Sequence, residues 1–218
     1  MKNFLIIVIT CFMMSSCQEE ERELIDPTID TTISTNSTLA KLMKNVVIHD
    51  GSYDDIVDGG NCFSIDLPYI LLVNGEPKTI LQREDYNTIG STDRIDIQFP
   101  VMVTFSDYQQ ATINSVKELE AISSQCEVDD EDIECIDFIY PIQISTFNTR
   151  SNSLSATLLN HDFDFFLFMS SIDENTSFSI NYPIDLVLYT GESIDTQHNS
   201  GLQEAISKVV SACDENDE

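Results

Sequence analysis

The chain has 218 residues, of which 38 are acidic and 10 are Lys or Arg, giving a formal charge of −28 at pH 7. A field of that sign repels phosphate backbones and anionic lipid headgroups, which excludes nucleic-acid binding. Hydrophobic residues make up 42% and tryptophan is absent, a composition that fits a globular core and excludes collagen, coiled coil and bulk disorder.

Lys2 precedes an apolar run at residues 4–14, followed by Ser15, Ser16 and Cys17. The run is too short to cross a hydrocarbon core of about 30 Å, which takes about 20 apolar residues. A basic start, a short apolar stretch and small residues before a cut describe a secretory signal peptide over 1–16. "MSSC" at 14–17 resembles the bacterial lipobox, which implies that Cys17 becomes an acylated N-terminus. Each acyl CH₂ buried in the bilayer would then add about 0.8 kcal/mol to anchoring. Without residues 1–16 the chain keeps 9 Lys or Arg and 38 acids, a charge of −29.

Residues 17–36 contain the acidic run "QEEERE" and then a Thr- and Ser-rich stretch with no periodicity. Such a segment buries too little apolar surface to offset its ordering entropy, so a flexible tether is expected. The acidic run behind a lipidated cysteine resembles the surface-export signal of Bacteroidota lipoproteins, and "DTT" at 30–32 resembles their O-glycosylation motif. Leu39, Leu42, Met43, Val46 and Val47 then recur at helical spacing behind Ser37 and Thr38, predicting a docking helix that ends the tether.

"HDGSYDDIVDGGN" at 49–61 places Asp50, Asp54, Asp55 and Asp58 in a glycine-containing loop. Calcium takes several oxygen ligands gathered by a flexible turn, so these four are the candidate metal ligands. The EF-hand pattern fails, with Ser52 at its third place and Asp55 at its sixth. The competing reading is a turn at Asp58, Gly59, Gly60 and Asn61 that leads into a strand, with Ile56 and Val57 pinning it to the core.

From there a strand phrase with a central proline recurs four times, around Pro68, Pro100, Pro141 and Pro183, at spacings of 32, 41 and 42 residues. Apolar residues alternate through each copy, as in Ile95, Ile97, Phe99, Val101, Val103 and Phe105. Such alternation marks a strand with one buried face. Because the register survives each proline, each copy reads as one long strand. Turns such as "NGEP" at 74–77 and "TGES" at 190–193 follow, predicting a hairpin with a shorter second strand. Ser115 before Glu118 and Ser200 before Gln203 read as capping boxes that open helices. The expected fold is α+β: tandem ββα repeats forming antiparallel sheets with helices packed on one face, in two similar halves. Proline lacks an N–H and is expected on edge strands, giving two sheets whose proline strands lie outermost. A bulge in a single larger sheet is the alternative. The halves span 37–128, with the N-terminal helix and two repeats, and 133–213, with the other two; 214–218 form an acidic tail.

In an exported protein Cys62, Cys126, Cys135 and Cys213 are disulfide candidates. Their places in the two halves favour Cys62 with Cys126 and Cys135 with Cys213. The competing set joins Cys126 to Cys135 and Cys62 to Cys213. The lipid anchor, acidic tether, "HDGSYDDIVDGGNCFSIDLP" and recurring strand-proline phrases together resemble uncharacterised flavobacterial lipoproteins. The resemblance implies an outer-membrane, surface-exposed address, with a periplasm-facing one as the alternative, and carries no activity. His49, His161 and His198 lie far apart in no zinc spacing, and the chain contains no G-x-S-x-G, P-loop or G-x-G-x-x-G motif. The expected function is therefore a non-enzymatic binding or adhesion module for a protein or glycan. The alternatives are a structural accessory subunit of an outer-membrane assembly, or a hydrolase of unrecognised type.

Overall fold

The structure, a computed structural model, describes residues 31–126 and 132–210. Cys17 and Cys213 lie outside the described residues, as do the signal peptide, most of the expected tether and the acidic tail.

Among the described residues, alternating apolar residues build thirteen short strands. These are β1 (Ile33–Ser34), β2 (Phe63–Ile65), β3 (Tyr69–Val73), β4 (Glu76–Ile80), β5 (Ile95–Ile97), β6 (Val101–Phe105) and β7 (Gln110–Ile113). Then follow β8 (Ile136–Phe138), β9 (Ile142–Asn148), β10 (Ser153–Leu159), β11 (Thr176–Ile180), β12 (Ile184–Leu188) and β13 (Ser193–Thr196). The helices are α1 (Thr38–Val46), α2 (Asp55–Asp58), α3 (Val116–Ser123), α4 (Asp162–Ser171) and α5 (Asn199–Val210), with 3₁₀ turns at Ser52–Asp54 and Arg83–Thr88. The class is α+β, with four small antiparallel sheets: β1-β11-β9-β10, β13-β12-β8, β2-β6-β7 and β4-β3-β5.

The prolines do not lie inside long strands or on outer ones. Each sits in a break between two strands, and all four X-Pro bonds are cis. The strand before each break joins one sheet and the strand after it joins another. A residue without an N–H thus occupies the gap between ladders, where no donor is required. The strands after the prolines, β3, β6, β9 and β12, are central, and the hairpin strands lie outside them. Sequence alternation hides the break because it crosses it in phase: Phe63, Ile65, Tyr69 and Leu71 are all buried.

Pairing across the breaks is reciprocal. β2 pairs with β6 while β5 pairs with β3, and β8 pairs with β12 while β11 pairs with β9. Two apolar clusters result. Phe63, Ile65, Leu71, Ile80, Val103 and Leu119 centre one. Met43, Ile136, Ile144, Phe165, Leu186 and Ile206 centre the other.

The N-terminal helix forms where expected, with the Ser37 hydroxyl accepting from the Ala40 amide at 3.1 Å. It belongs, however, to the cluster of the second half and packs on α5 and α4. The chain before it joins the fold from Ile33, since β1 pairs with β11 (Ile33 opposite Phe178) and Ile33 is buried. Helical periodicity shows which side of α1 is apolar; it carries no information about which core that side meets. Ser115 caps α3 as predicted. At α5 the cap shifts, because His198 Nδ1 accepts from the Gly201 amide at 3.1 Å and Ser200 lies inside the helix.

Cys62 and Cys126 are joined, with Cα atoms 5.4 Å apart, which ties the start of β2 to the end of α3 and excludes the competing pairing. Cys135 is disulfide-bonded as well. The bridge closes a loop of sequence separation 64, and on the chain-entropy account such a loop is worth about 4 kcal/mol. The Cys62→Ser, Cys126→Ser double variant should lose stability of that order in urea unfolding; an unchanged midpoint would contradict it.

Candidate functional site

The glycine-containing run at 49–61 folds back tightly on itself. A Cβ at Gly51 would stand 2.5 Å from the Asn61 carbonyl oxygen, and Gly59 ends α2 with a φ of 68°. The fold separates the four predicted ligands. Asp54 and Asp58, one helical turn apart, point inward. Asp54 is 0% exposed and its Oδ2 accepts from the Ile65 amide at 2.8 Å. Asp58 is 7% exposed and its Oδ1 accepts from the Gly60 amide at 3.1 Å. The second oxygens, Asp54 Oδ1 and Asp58 Oδ2, have no hydrogen-bond partner. Burial pushes Asp54 up to about 7, against the amide bond from Ile65 and with help from the Asp55 charge. Burial, then the Asp54 charge, pushes Asp58 up to about 9. Asp55 is half-buried in α2, and Ile56, expected to pin the loop, is exposed.

Asp50 takes part in a different site. It lines a cleft of about 220 Å³ together with His49, Arg83, Tyr108, Asp132, Glu134, Asp137 and Asp162. Carboxylate oxygens of Asp50, Asp132 and Glu134 lie within 4.8 Å of one another, the one such convergence of three ligand groups among the described residues. Asp50 accepts from the Ser52 amide at 3.0 Å and from Arg83 Nη1 at 2.5 Å, and the Ser52 hydroxyl donates to Glu134 at 2.7 Å. Arg83 is held in place by the Tyr53 ring, whose centroid is 3.9 Å away. Burial works against ionisation of Asp50, yet a hydrogen bond with Glu134 and the Arg83 charge hold its carboxyl below the usual range.

Two further carboxyls of the cleft are shifted upward. Burial, then the Asp162 charge, raises Asp137. Burial also raises Asp162, against the bond it accepts from the Tyr140 hydroxyl at 2.6 Å. His49 is lowered, chiefly by burial, so its imidazole stays neutral at physiological pH; its Nε2 lies 2.7 Å from the Ser64 hydroxyl. The cleft therefore sets five carboxyl groups against one guanidinium, an arrangement complementary to a cation.

The sequence indicated Asp50 and missed the rest. Asp132 and Glu134 lie in the acidic stretch at 127–134, where nothing distinguishes them from their neighbours. Glu134 meets Ser52 across 82 residues, a distance that no local pattern spans. Among the described residues no helix is long and apolar enough to cross a membrane. No family model, curated protein or solved structure matches the chain.

The buried pair predicts a pH dependence. Unfolded aspartates release their protons near pH 4, whereas the folded chain holds them to about 7 at Asp54 and about 9 at Asp58. Between those limits the unfolded state binds fewer protons, so stability falls as pH rises. Asp54→Asn and Asp58→Asn should each gain on the order of 1–2 kcal/mol over the parent at pH 8 and little at pH 4. Urea midpoints at the two pH values check it; a difference that does not change with pH contradicts the assignment.

Proposed function

We propose that the chain is a lipid-anchored protein of the bacterial cell envelope that acts as a non-enzymatic binding module, with the acidic cleft as its ligand site. The signal sequence and the "MSSC" motif support anchoring through Cys17, and the acidic run behind it supports display on the outer-membrane surface. The body is a set of four tandem ββα repeats. Like placement of the four prolines and reciprocal pairing of the strands around them support that reading.

The observation that carries the binding role is the convergence of Asp50, Asp132 and Glu134 in a cleft whose basic groups are Arg83 and a neutral His49. The ligand is a cation or a cationic group on a protein or glycan partner. Calcium is the ion that three such oxygen donors favour. A bound cation would also favour the ionised form of Asp137 and Asp162, which burial disfavours.

Calorimetric titration of the full chain in mild detergent tests the site, with calcium chloride and a lysine-rich oligopeptide as probes. Saturable heat with at least one probe is expected, abolished in the Asp50→Asn, Glu134→Gln variant and kept in the Asp54→Asn, Asp58→Asn variant. Heat that survives the first variant, or its absence with both probes, would overturn the reading. For the anchor, Cys17→Ala should move the protein from the membrane fraction to the soluble fraction.

A further inference from the structure

The four-stranded sheet ends in β10, an outer strand of seven residues of which 153–158 are exposed. Among the described residues no strand pairs with its outer side, and an outer strand of this kind is a template for another strand. The remaining outer strands are blunted or short. β4 carries Glu76, Pro77 and Lys78, and β5, β8 and β13 each carry an aspartate. β7 has four residues, β1 has two, and β2 is buried throughout. β10 has no charge, no proline and no such cover.

Charge isolates the same place. None of the residues in β1, β9, β10 and β11 is charged. No acid occurs between Asp137 and Asp162, in a chain with 38 acids among 218 residues. Leu154, 79% exposed, and Leu158, 56% exposed, share the solvent face with Ala156 and stand opposite Phe147, Gln143 and Ser145 of β9.

We propose that β10 is a dimer seam, pairing antiparallel with β10 of a second copy of this chain, centred on Ala156. The strand "SLSATLL" is nearly self-complementary about that residue. In this register Leu154 meets Leu158 of the other copy twice, on one face. Ser155 meets Thr157 twice on the other, and Ala156 meets itself. A two-fold interface requires such self-matching; an unrelated strand would not. Coulomb repulsion between two bodies of charge −28 opposes contact through acidic faces and is least across an acid-free edge. Pairing joins the two sheets into one of eight strands, four from each copy. The inference goes beyond the cleft and does not depend on it.

Sedimentation velocity of the full chain in mild detergent should show a concentration-dependent dimer. Lysines at 154 and 158 would face each other across the seam, and like charges directly opposite are destabilising. The Leu154→Lys, Leu158→Lys variant should therefore dimerise at least about tenfold more weakly, with an unchanged circular dichroism spectrum. Independently, Ala156→Cys should form a disulfide-linked dimer under mild oxidation, and Tyr189→Cys, at an exposed site away from the seam, should not. A monomer at every concentration overturns the proposal. So do a dimer indifferent to both lysines, cross-linking at 156 no better than at 189, and a monomer that captures a different chain through β10.

Discussion

The missing N–H of proline determines how the rest of this molecule is arranged. At Pro68, Pro100, Pro141 and Pro183 a ladder cannot continue through the residue, so each strand phrase divides between two sheets. Once divided, the two parts of one phrase pair with the opposite parts of its neighbour. The strands after the prolines become central and gather two apolar clusters, and the apolar lining of the cleft, Val46, Ile48, Tyr108 and Ile133, belongs to the cluster of the second half. The cleft depends on that arrangement. Asp137 leaves β8 three residues before Tyr140-Pro141, and the Tyr140 hydroxyl holds Asp162 at the start of α4.

Carboxyl groups here occupy two environments that sequence does not distinguish. Asp54 and Asp58 are enclosed by protein and each satisfies one backbone amide, which leaves desolvation as the dominant influence on them. Asp50 reaches Arg83, Ser52 and Glu134, and that set of partners outweighs its own burial. The first pair positions the loop and opposes stability as pH rises; the second group concentrates negative potential in a cavity with room for a ligand. Gly51 and Gly59 bring the two environments within one short run, by letting the chain close on Asn61 and turn out of α2.

Much of the fold was legible in local chemistry. The Ser37 and Ser115 caps, the Asn74-Gly75 turn, the buried parity of each strand and the Cys62 to Cys126 bridge follow from residues that act over a few positions or from matching places in the chain. Three features were not legible, each for a reason of distance. The break at each proline keeps parity, so alternation cannot reveal it. The partner of α1 is decided by which core offers a complementary face, and β1 commits it by pairing with β11. The cleft assembles Asp50, Arg83, Asp132, Glu134, Asp137 and Asp162 from segments far apart in the chain, and an acidic composition gives each of them the same local appearance as the acids outside it.

The distribution of charge links the surface to the sheets. A chain with this excess of acids is kept apart from its neighbours by repulsion, and that alone discourages strand-to-strand aggregation. Where single charges sit on outer strands, as at Asp96, Asp137 and Asp195, the protection is also local. Along β10 the local protection is missing, although the strand is long and carries two exposed leucines. General repulsion weakens as salt screens it over about 8–10 Å, so it cannot replace a charge placed on the edge itself. An uncovered strand of this length in an otherwise well-guarded molecule has the physical character of a contact surface, and its near-symmetry about Ala156 limits what that contact can be.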